Sequence, residues 1–230
     1  MIERISDAAR LLNQNFLLFS AIILTVCVPN SILVNYVVYN VDSETNPAYI
    51  IVAVLIGFIS TPISSGALVY SLFRIKSGST PTYSEALGIA LLKWRPLFIT
   101  RLASGFLVLL GLIALIIPGI MLMIRYSFID ETVVIEGTGV TQSLERSTEL
   151  TSGRRWEIFG SILLFSFPFM VFSVLLSAPL ESADPMIATF LSIIVDSVVG
   201  VFFSILQIVM FLFYWEATHP GRVVEEKMAM

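Results

Sequence analysis

Residues 187–215 read IATFLSIIVDSVVGVFFSILQIVMFLFYW, an apolar run broken by a single charge, Asp196. A helix needs about 20 residues to cross the hydrocarbon core of a bilayer, and this run exceeds that length. Other stretches of the chain have the same character, although one is short for a full crossing. The predicted membrane segments lie near residues 16–39, 49–73, 97–117, 120–135, 157–178 and 187–215.

The composition of the 230-residue chain agrees with membrane insertion. It is 57% hydrophobic and 13% charged, whereas soluble domains carry about 25% charged residues. The net charge of −4 and the lack of a long basic run argue against nucleic-acid binding. The single cysteine, Cys27, excludes an intramolecular disulfide. We therefore predict an all-α, polytopic integral membrane protein that forms one membrane domain over residues 1–230.

The distribution of positive charge predicts the orientation of the segments. Residues 40–48 and 179–186 carry acidic side chains but no basic ones, and Pro118-Gly119 predicts a hairpin turn between the third and fourth segments. Loops that hold Lys and Arg stay in the cytoplasm, so these three connections are predicted to lie outside. Both termini, including a tail over 216–230, are then cytoplasmic, and the membrane is the cell (plasma or inner) membrane. Twelve of the 13 basic residues fall on the cytoplasmic side: Arg4, Arg10, Arg74, Lys76, Lys93, Arg95, Arg101, Arg146, Arg154, Arg155, Arg222 and Lys227.

Three short amphipathic helices are predicted, one before each of three membrane hairpins, lying in the cytoplasmic interface. Their predicted ranges are 4–14, 82–93 and 141–151. The second begins with a capping box of Thr82 and Glu85, and Leu87 and Leu91 lie on its apolar face. The three openings either repeat one unit or are unrelated boundary helices. Trp94, Trp156 and Trp215 fall at the predicted cytoplasmic boundaries, where indole rings favour the headgroup zone.

Several short motifs carry a family resemblance: IPGI at 117–120, RY at 125–126, VVIEG at 133–137 and SLERSTELTSGRRW at 143–156. The chain resembles a broad prokaryotic family of six-helix membrane proteins. That family includes the YciC-like inner-membrane proteins and the membrane domain attached to some glycerophosphodiester phosphodiesterases. The chain departs from the family at residues 130–132, where it has Asp-Glu-Thr instead of an apolar-Pro step, and at Ser143, where Ala is common.

The resemblance implies a fold and a location but little activity. Such a phosphodiesterase also needs a soluble barrel of about 250 residues, for which this chain has no room. The residues themselves point the same way. The lone histidine, His219, follows Trp215 in the tail, HExxH is absent, and Asp130 and Asp196 lie in no known dyad motif. We expect no enzyme activity, no catalytic or metal-binding residues and no cofactor.

A stripe of small and polar residues marks the sixth segment. Ser192, Asp196, Gly200 and Ser204 recur every four residues on one helix face. Such a stripe lets a second helix approach closely, and it also suits a polar path through the membrane. The sequence is compatible with both interpretations. A similar stripe in the second segment surrounds Pro62 and consists of Gly57, Ser60, Thr61 and Ser64.

Arg125 and Asp196 are predicted to form an ion pair inside the membrane. Counted from the outer hairpin, Arg125 lies about 9 Å deep, and Asp196 lies about 14 Å deep in the sixth segment. The difference is within reach of a flexible guanidinium side chain. Asp130 faces a different side of the same helix, so it is a poorer partner for Arg125.

The sequence favours a non-enzymatic membrane protein, a scaffold or a factor in envelope lipid homeostasis. The alternative is a small transporter or channel subunit with a polar path along the sixth segment. The expected partners are membrane lipids and either a second copy of the chain or another membrane protein. A polar cavity that reaches the middle of the stripe helices favours transport, whereas a dry, packed interface favours a scaffold.

The predicted topology can be tested by cysteine labelling in a Cys27→Ala background. Cysteines introduced at Ser43 and Ser182 should react in intact cells with a reagent that does not cross the membrane, because both lie in the predicted outer loops. A cysteine at Ser152 should stay unlabelled, and labelling there would contradict the topology.

Overall fold

The computed structural model describes residues 2–40, 48–177 and 185–220, and within these ranges the chain forms helices and no strand. The predicted outer loops, with Asp42, Glu44, Glu181 and Asp184, and the tail beyond residue 220 lie outside the described residues. The elements are α1 (Ile2–Gln14), α2 (Phe16–Asn40), α3 (Ala48–Lys76), α4 (Tyr83–Leu92), α5 (Trp94–Ala114), α6 (Ile116–Arg125), α7 (Ile129–Glu131), a π-helix (Thr132–Glu136), α8 (Val140–Leu150), α9 (Arg155–Ser177) and α10 (Pro185–Thr218).

Five of the described helices are long and apolar enough to cross a membrane: α2, α3, α5, α9 and α10. Helices of this length and composition indicate a multi-pass membrane protein. They match the first, second, third, fifth and sixth predicted segments within a few residues at the described ends. The sequence predicts these helices well because each apolar run is long and is bounded by polar or turn-forming residues.

The predicted fourth segment, 120–135, is not a single helix. It is divided into α6, the three-residue α7 and the π-helix. Ser147 of α8 holds the break: its hydroxyl donates to the carbonyl of Arg125 at 2.7 Å and accepts from the backbone N–H of Phe128 at 3.1 Å. These bonds satisfy backbone groups that the end of α6 leaves unpaired. Asp130 follows the break, so the acidic departure at 130–132 falls within the interrupted part.

The turn between α5 and α6 lies at Leu115, and Pro118 and Gly119 stand inside α6. The predicted Pro118-Gly119 turn is therefore wrong by about one helical turn. Pro118 is the third residue of α6, where a missing N–H costs nothing because early helical N–H groups have no partner in the helix. Gly119 instead serves packing: a Cβ there would lie 2.7 Å from the backbone nitrogen of Leu112.

Helices stand at all three positions predicted for interfacial segments, namely α1, α4 and α8. The capping box of α4 is confirmed: Glu85 N–H donates to Thr82 Oγ1 at 3.3 Å, and Thr82 N–H donates to Glu85 Oε2 at 3.0 Å. However, α4 buries Ala86 and Ala90, while Leu91 is 60% exposed. These alanines are buried because α4 packs against α3, where Ala90 lies next to Gly66.

The main core surrounds the last turns of α10. Trp215 is 2% exposed and stacks on His219 at 4.0 Å between ring centroids, so it is not the interfacial tryptophan that the sequence suggests. Trp156, at the start of α9, is 85% exposed. Helices α1, α2 and α3 pack against the same part of α10.

Arg4 joins the two ends of the described chain. Its guanidinium donates to Glu216 near the end of α10 at 2.9 Å and to Glu157 in the first turn of α9 at 2.7 Å. Its Cζ lies 4.2 Å from the centre of the Phe213 ring, and Arg154 adds a 3.3 Å bond to Glu216. The N-terminal helix and the end of α10 therefore lie at the same end of the bundle.

We expect Gly119→Ala to destabilise the protein by about 1–3 kcal/mol, the usual cost of overpacking. The added methyl would meet Leu112, including its backbone nitrogen. Gly105→Ala is the matched control in α5, because no atom lies within 4 Å of its Cβ position and alanine favours a helix. Thermal unfolding in detergent measures both. Equal melting temperatures for the two variants would contradict the close α5–α6 contact.

Candidate functional site

The polar stripe of α10 faces α2. Ser192 donates to Asn35 Oδ1 at 3.1 Å, and Ser31 of α2 donates to Asp196 Oδ2 at 2.7 Å. At Gly200 the two helices are in close contact, because a Cβ there would lie 2.8 Å from the Cys27 sulfur. Three of the four predicted stripe residues thus meet α2, whereas the hydroxyl of buried Ser204 bonds the carbonyl of Val201 within α10.

A pocket of about 350 Å³ opens beside this stripe. Asp196 is exposed in it, accepts a hydrogen bond from Ser31, and forms no ion pair with any described residue. Asn30 also lines the pocket, and its side-chain oxygen accepts from Ser60 of α3 at 3.1 Å. The lining consists of Cys27, Asn30, Ser31, Val34, Asp196, Val199, Gly200 and Phe203. The arrangement offers a carboxylate, a hydroxyl and an amide within an otherwise apolar wall.

An apolar groove of about 400 Å³ lies next to the acidic pocket, between α9 and α10. Phe203 lines both cavities, so the acidic pocket and the apolar groove adjoin at this ring. The groove is lined by Leu164, Phe165, Pro168, Phe172, Phe202, Phe203 and Ile205.

The predicted ion pair between Arg125 and Asp196 is not formed. Asp196 faces α2, whereas Arg125 ends α6, which packs against α5, α8 and α9. The depth estimate failed because it assumed a turn at Pro118-Gly119 and an unbroken fourth helix. The Nε of Arg125 is buried and has no hydrogen-bond partner within the described residues.

A different ion pair joins Arg101 of α5 to Asp130 of α7. Arg101 Nε donates to Asp130 Oδ1 at 2.9 Å, and Nη2 donates to Asp130 Oδ2. The remaining donors reach α3, with 3.1 Å to Thr61 Oγ1 and 2.8 Å to Ser65 Oγ. We call Arg101, Asp130, Thr61 and Ser65 the arginine clamp. Both charged side chains are mostly buried.

Sequence reasoning missed the arginine clamp because it placed Arg101 at the cytoplasmic boundary. The signals were present: Asp130 is an acid within an apolar segment, and such a charge needs a partner. The polar residues around Pro62 form a stripe in the sequence. In the structure, Thr61 of this stripe and the nearby Ser65 accept hydrogen bonds from Arg101 of α5.

Glu131, the residue after Asp130, accepts no hydrogen bond from Arg101 in the described structure. It is 3% exposed, and its Oε2 makes no hydrogen bond in the described structure. Its carboxyl group follows directly on that of Asp130, and the guanidinium hydrogen bonds of Arg101 go to Asp130, Thr61 and Ser65 instead.

These features describe a helical multi-pass membrane protein with an acidic pocket, and the described residues contain no group of His, Cys, Asp or Glu suited to a metal ion. A family model matches residues 47–217, most of the chain, so the protein belongs to that family, described as a domain of unknown function (DUF7847). No curated protein and no solved structure matches the chain.

Removing one partner of the arginine clamp should destabilise the protein by about 3–5 kcal/mol, because the other charge is left buried. Arg101→Met and Asp130→Leu should each lower the melting temperature in detergent, and the double variant should recover part of the loss. Glu149→Gln, at an exposed carboxylate of α8, is the control and should change the stability by less than about 1 kcal/mol. Strictly additive losses in the double variant would show that the pair does not interact.

Proposed function

We propose that the protein is a non-enzymatic integral membrane protein that binds an amphiphilic compound with an ammonium headgroup in the pocket between α2 and α10. The observation that carries this proposal is Asp196, a carboxylate that opens into the pocket without a cation from the described chain. The adjoining apolar groove suits the hydrocarbon part of such a compound.

The charge of Asp196 argues for a cationic occupant. A carboxylate inside an apolar helix is costly unless it is paired, and here the protein supplies one hydroxyl from Ser31. An ammonium group would neutralise the carboxylate and donate further hydrogen bonds from its N–H groups to the Asn30 and Ser31 oxygens. An anion would be repelled, and a neutral solute would leave the charge uncompensated.

The shape of the site argues for an amphiphile rather than a free inorganic cation. Most of the pocket wall is apolar. Phe203 lines both the pocket and the apolar groove, and Pro168 also lines the groove. A headgroup at Asp196 therefore places an attached chain against the aromatic residues of α9 and α10. A lipid with an amine head and a lipophilic organic cation share this chemistry.

The proposal joins the two functions that the sequence leaves open. A lipid held at the site supports a scaffold or a factor in envelope lipid homeostasis. A compound that passes through the site makes the protein a small transporter or a channel subunit. The polar pocket at the stripe favours transport over a fully packed interface, because a transported compound needs a cavity between the helices.

The proposed setting is the cell membrane, with both termini in the cytoplasm. The bonds between Arg4 and Glu216 support placing the two ends on one side. An even number of crossings then requires α6, α7 and the π-helix to return the chain together. The proximity of Gly137 to the Lys93 ammonium, near the start of α5, supports that return. We also propose that the protein is related to the YciC-like proteins. It associates in this proposal with membrane lipids or with a second copy of the chain.

Binding can be tested with a fluorescent primary alkylammonium probe and the protein in nanodiscs. Asp196→Asn keeps the shape of the side chain and removes its charge, so it should weaken binding by about tenfold, or about 1.4 kcal/mol. Glu145→Gln, at an exposed acid of α8, is the charge-matched control and should bind as the wild type does.

The source of the compound is separated by two further measurements. Mass spectrometry of the protein purified in mild detergent should detect an amine lipid if the natural occupant comes from the membrane. Uptake of the probe into proteoliposomes, lost in Asp196→Asn, would indicate transport. Equal affinity of the wild type and Asp196→Asn for the probe would contradict the proposed site.

A further inference from the structure

The core around α7 contains more negative than positive charge. Arg101 is the cation in this cluster, and Asp130 and Glu131 each carry a carboxyl group. The hydrogen bonds of Arg101 go to Asp130, Thr61 and Ser65, and none goes to Glu131. If both acids were ionised, one negative charge would remain buried without compensation.

No second cation besides Arg101 is found beside Glu131 in the described structure. The side chain is 3% exposed, and Oε2 has no hydrogen-bond partner. Helix α7 packs against α3 and α5, where Val69 and Leu97 form an apolar cluster with Val133 and Val134. An unpaired carboxylate in such a place costs far more than a neutral carboxylic acid.

We propose that Glu131 is a proton-binding site, a carboxylic acid that stays protonated in the folded protein at neutral pH and controls the grip of the arginine clamp. When Glu131 is protonated, Asp130 is the only carboxylate that attracts Arg101 in this cluster. Arg101 then also donates hydrogen bonds to Thr61 and Ser65 of α3. Loss of the proton to water creates a second carboxylate beside the same guanidinium. Arg101 is then attracted to two acids, which weakens its hold on the segment of α3 around Pro62.

Ionisable groups from several elements face the site. Arg101 of α5 and Asp130 of α7 interact directly with the charge of Glu131, and Tyr214 of α10 lies within its electrostatic reach. The Tyr214 hydroxyl donates to Glu136 at 3.0 Å, and Glu136 accepts from Arg146 of α8 at 3.2 Å. Tyr214 and Arg146 are thus engaged with Glu136, at the exposed end of the π-helix, and neither donates a hydrogen bond to Glu131 in the described structure.

The proton site does not depend on what binds at Asp196. It predicts that stability falls as pH rises. Unfolding exposes the carboxyl group to water, where it ionises more readily than in the apolar core, so the unfolded state gains stability as pH rises above the pKa of a free glutamate.

Infrared spectroscopy of the unmutated protein in nanodiscs tests the proposal directly. With isotope-labelled glutamate, the C=O stretch of a protonated glutamic acid should be present at neutral pH and disappear at alkaline pH. Glu131→Gln reproduces the neutral acid, so it should fold, lack this band and lose the decrease in melting temperature that accompanies rising pH. Glu145→Gln should retain both signals.

Three results would overturn the proposal. The first is the absence of a protonated glutamate band at neutral pH in the unmutated protein. The second is a band, or a pH-dependent melting temperature, that persists in Glu131→Gln. The third is a failure of Glu131→Gln to fold, because the amide preserves the charge state that the proposal assigns to the native side chain.

Discussion

The ion pair between Arg101 and Asp130 is the constraint on which the centre of the molecule depends. It joins α5 to α7 through two hydrogen bonds and reaches α3 through Thr61 and Ser65. Two charges buried together are tolerable, whereas either one alone is costly. The pair therefore requires Asp130 to lie beside α5 and α3. Ser147 can satisfy the backbone at the end of α6 because α8 packs against the same break.

Much of the helical framework follows from local physics and was predictable. The starts of α2 and α9 and the capping box of α4 depend on apolar length and on side chains near in sequence. The fourth segment did not follow, because its apolar content suggested one helix while Asp130 and Glu131 needed partners that only tertiary packing supplies. The depth estimate for Arg125 failed for a related reason. The estimate counted residues along one ideal helix, whereas the chain turns at Leu115 and α6 ends at Arg125.

The candidate site shows the same division between local and tertiary information. The stripe on α10 is visible in the sequence, but its partner is not, since a run of small residues fits any helix that can approach. Gly200 and Cys27 select α2 by close contact. Asp196, Asp130 and Glu131 then have three different environments: an open pocket, a bidentate ion pair and an apolar core. Burial and partners, rather than residue type, decide whether each acid is positioned to bind a cation, hold a helix or keep a proton.

The acidic pocket and the arginine clamp are connected through two consecutive residues of α3. Ser60 bonds to Asn30, which lines the pocket, and Thr61 accepts from Arg101. Pro62 follows them and removes a backbone hydrogen bond, so this part of α3 is held by side chains to a greater extent than an ordinary helix is. Arg101 therefore binds one residue away from Ser60, whose hydrogen-bond partner Asn30 lines the pocket. Coupling needs an element with two arrangements that both sites influence, and the turn of α3 before Pro62 is in contact with both.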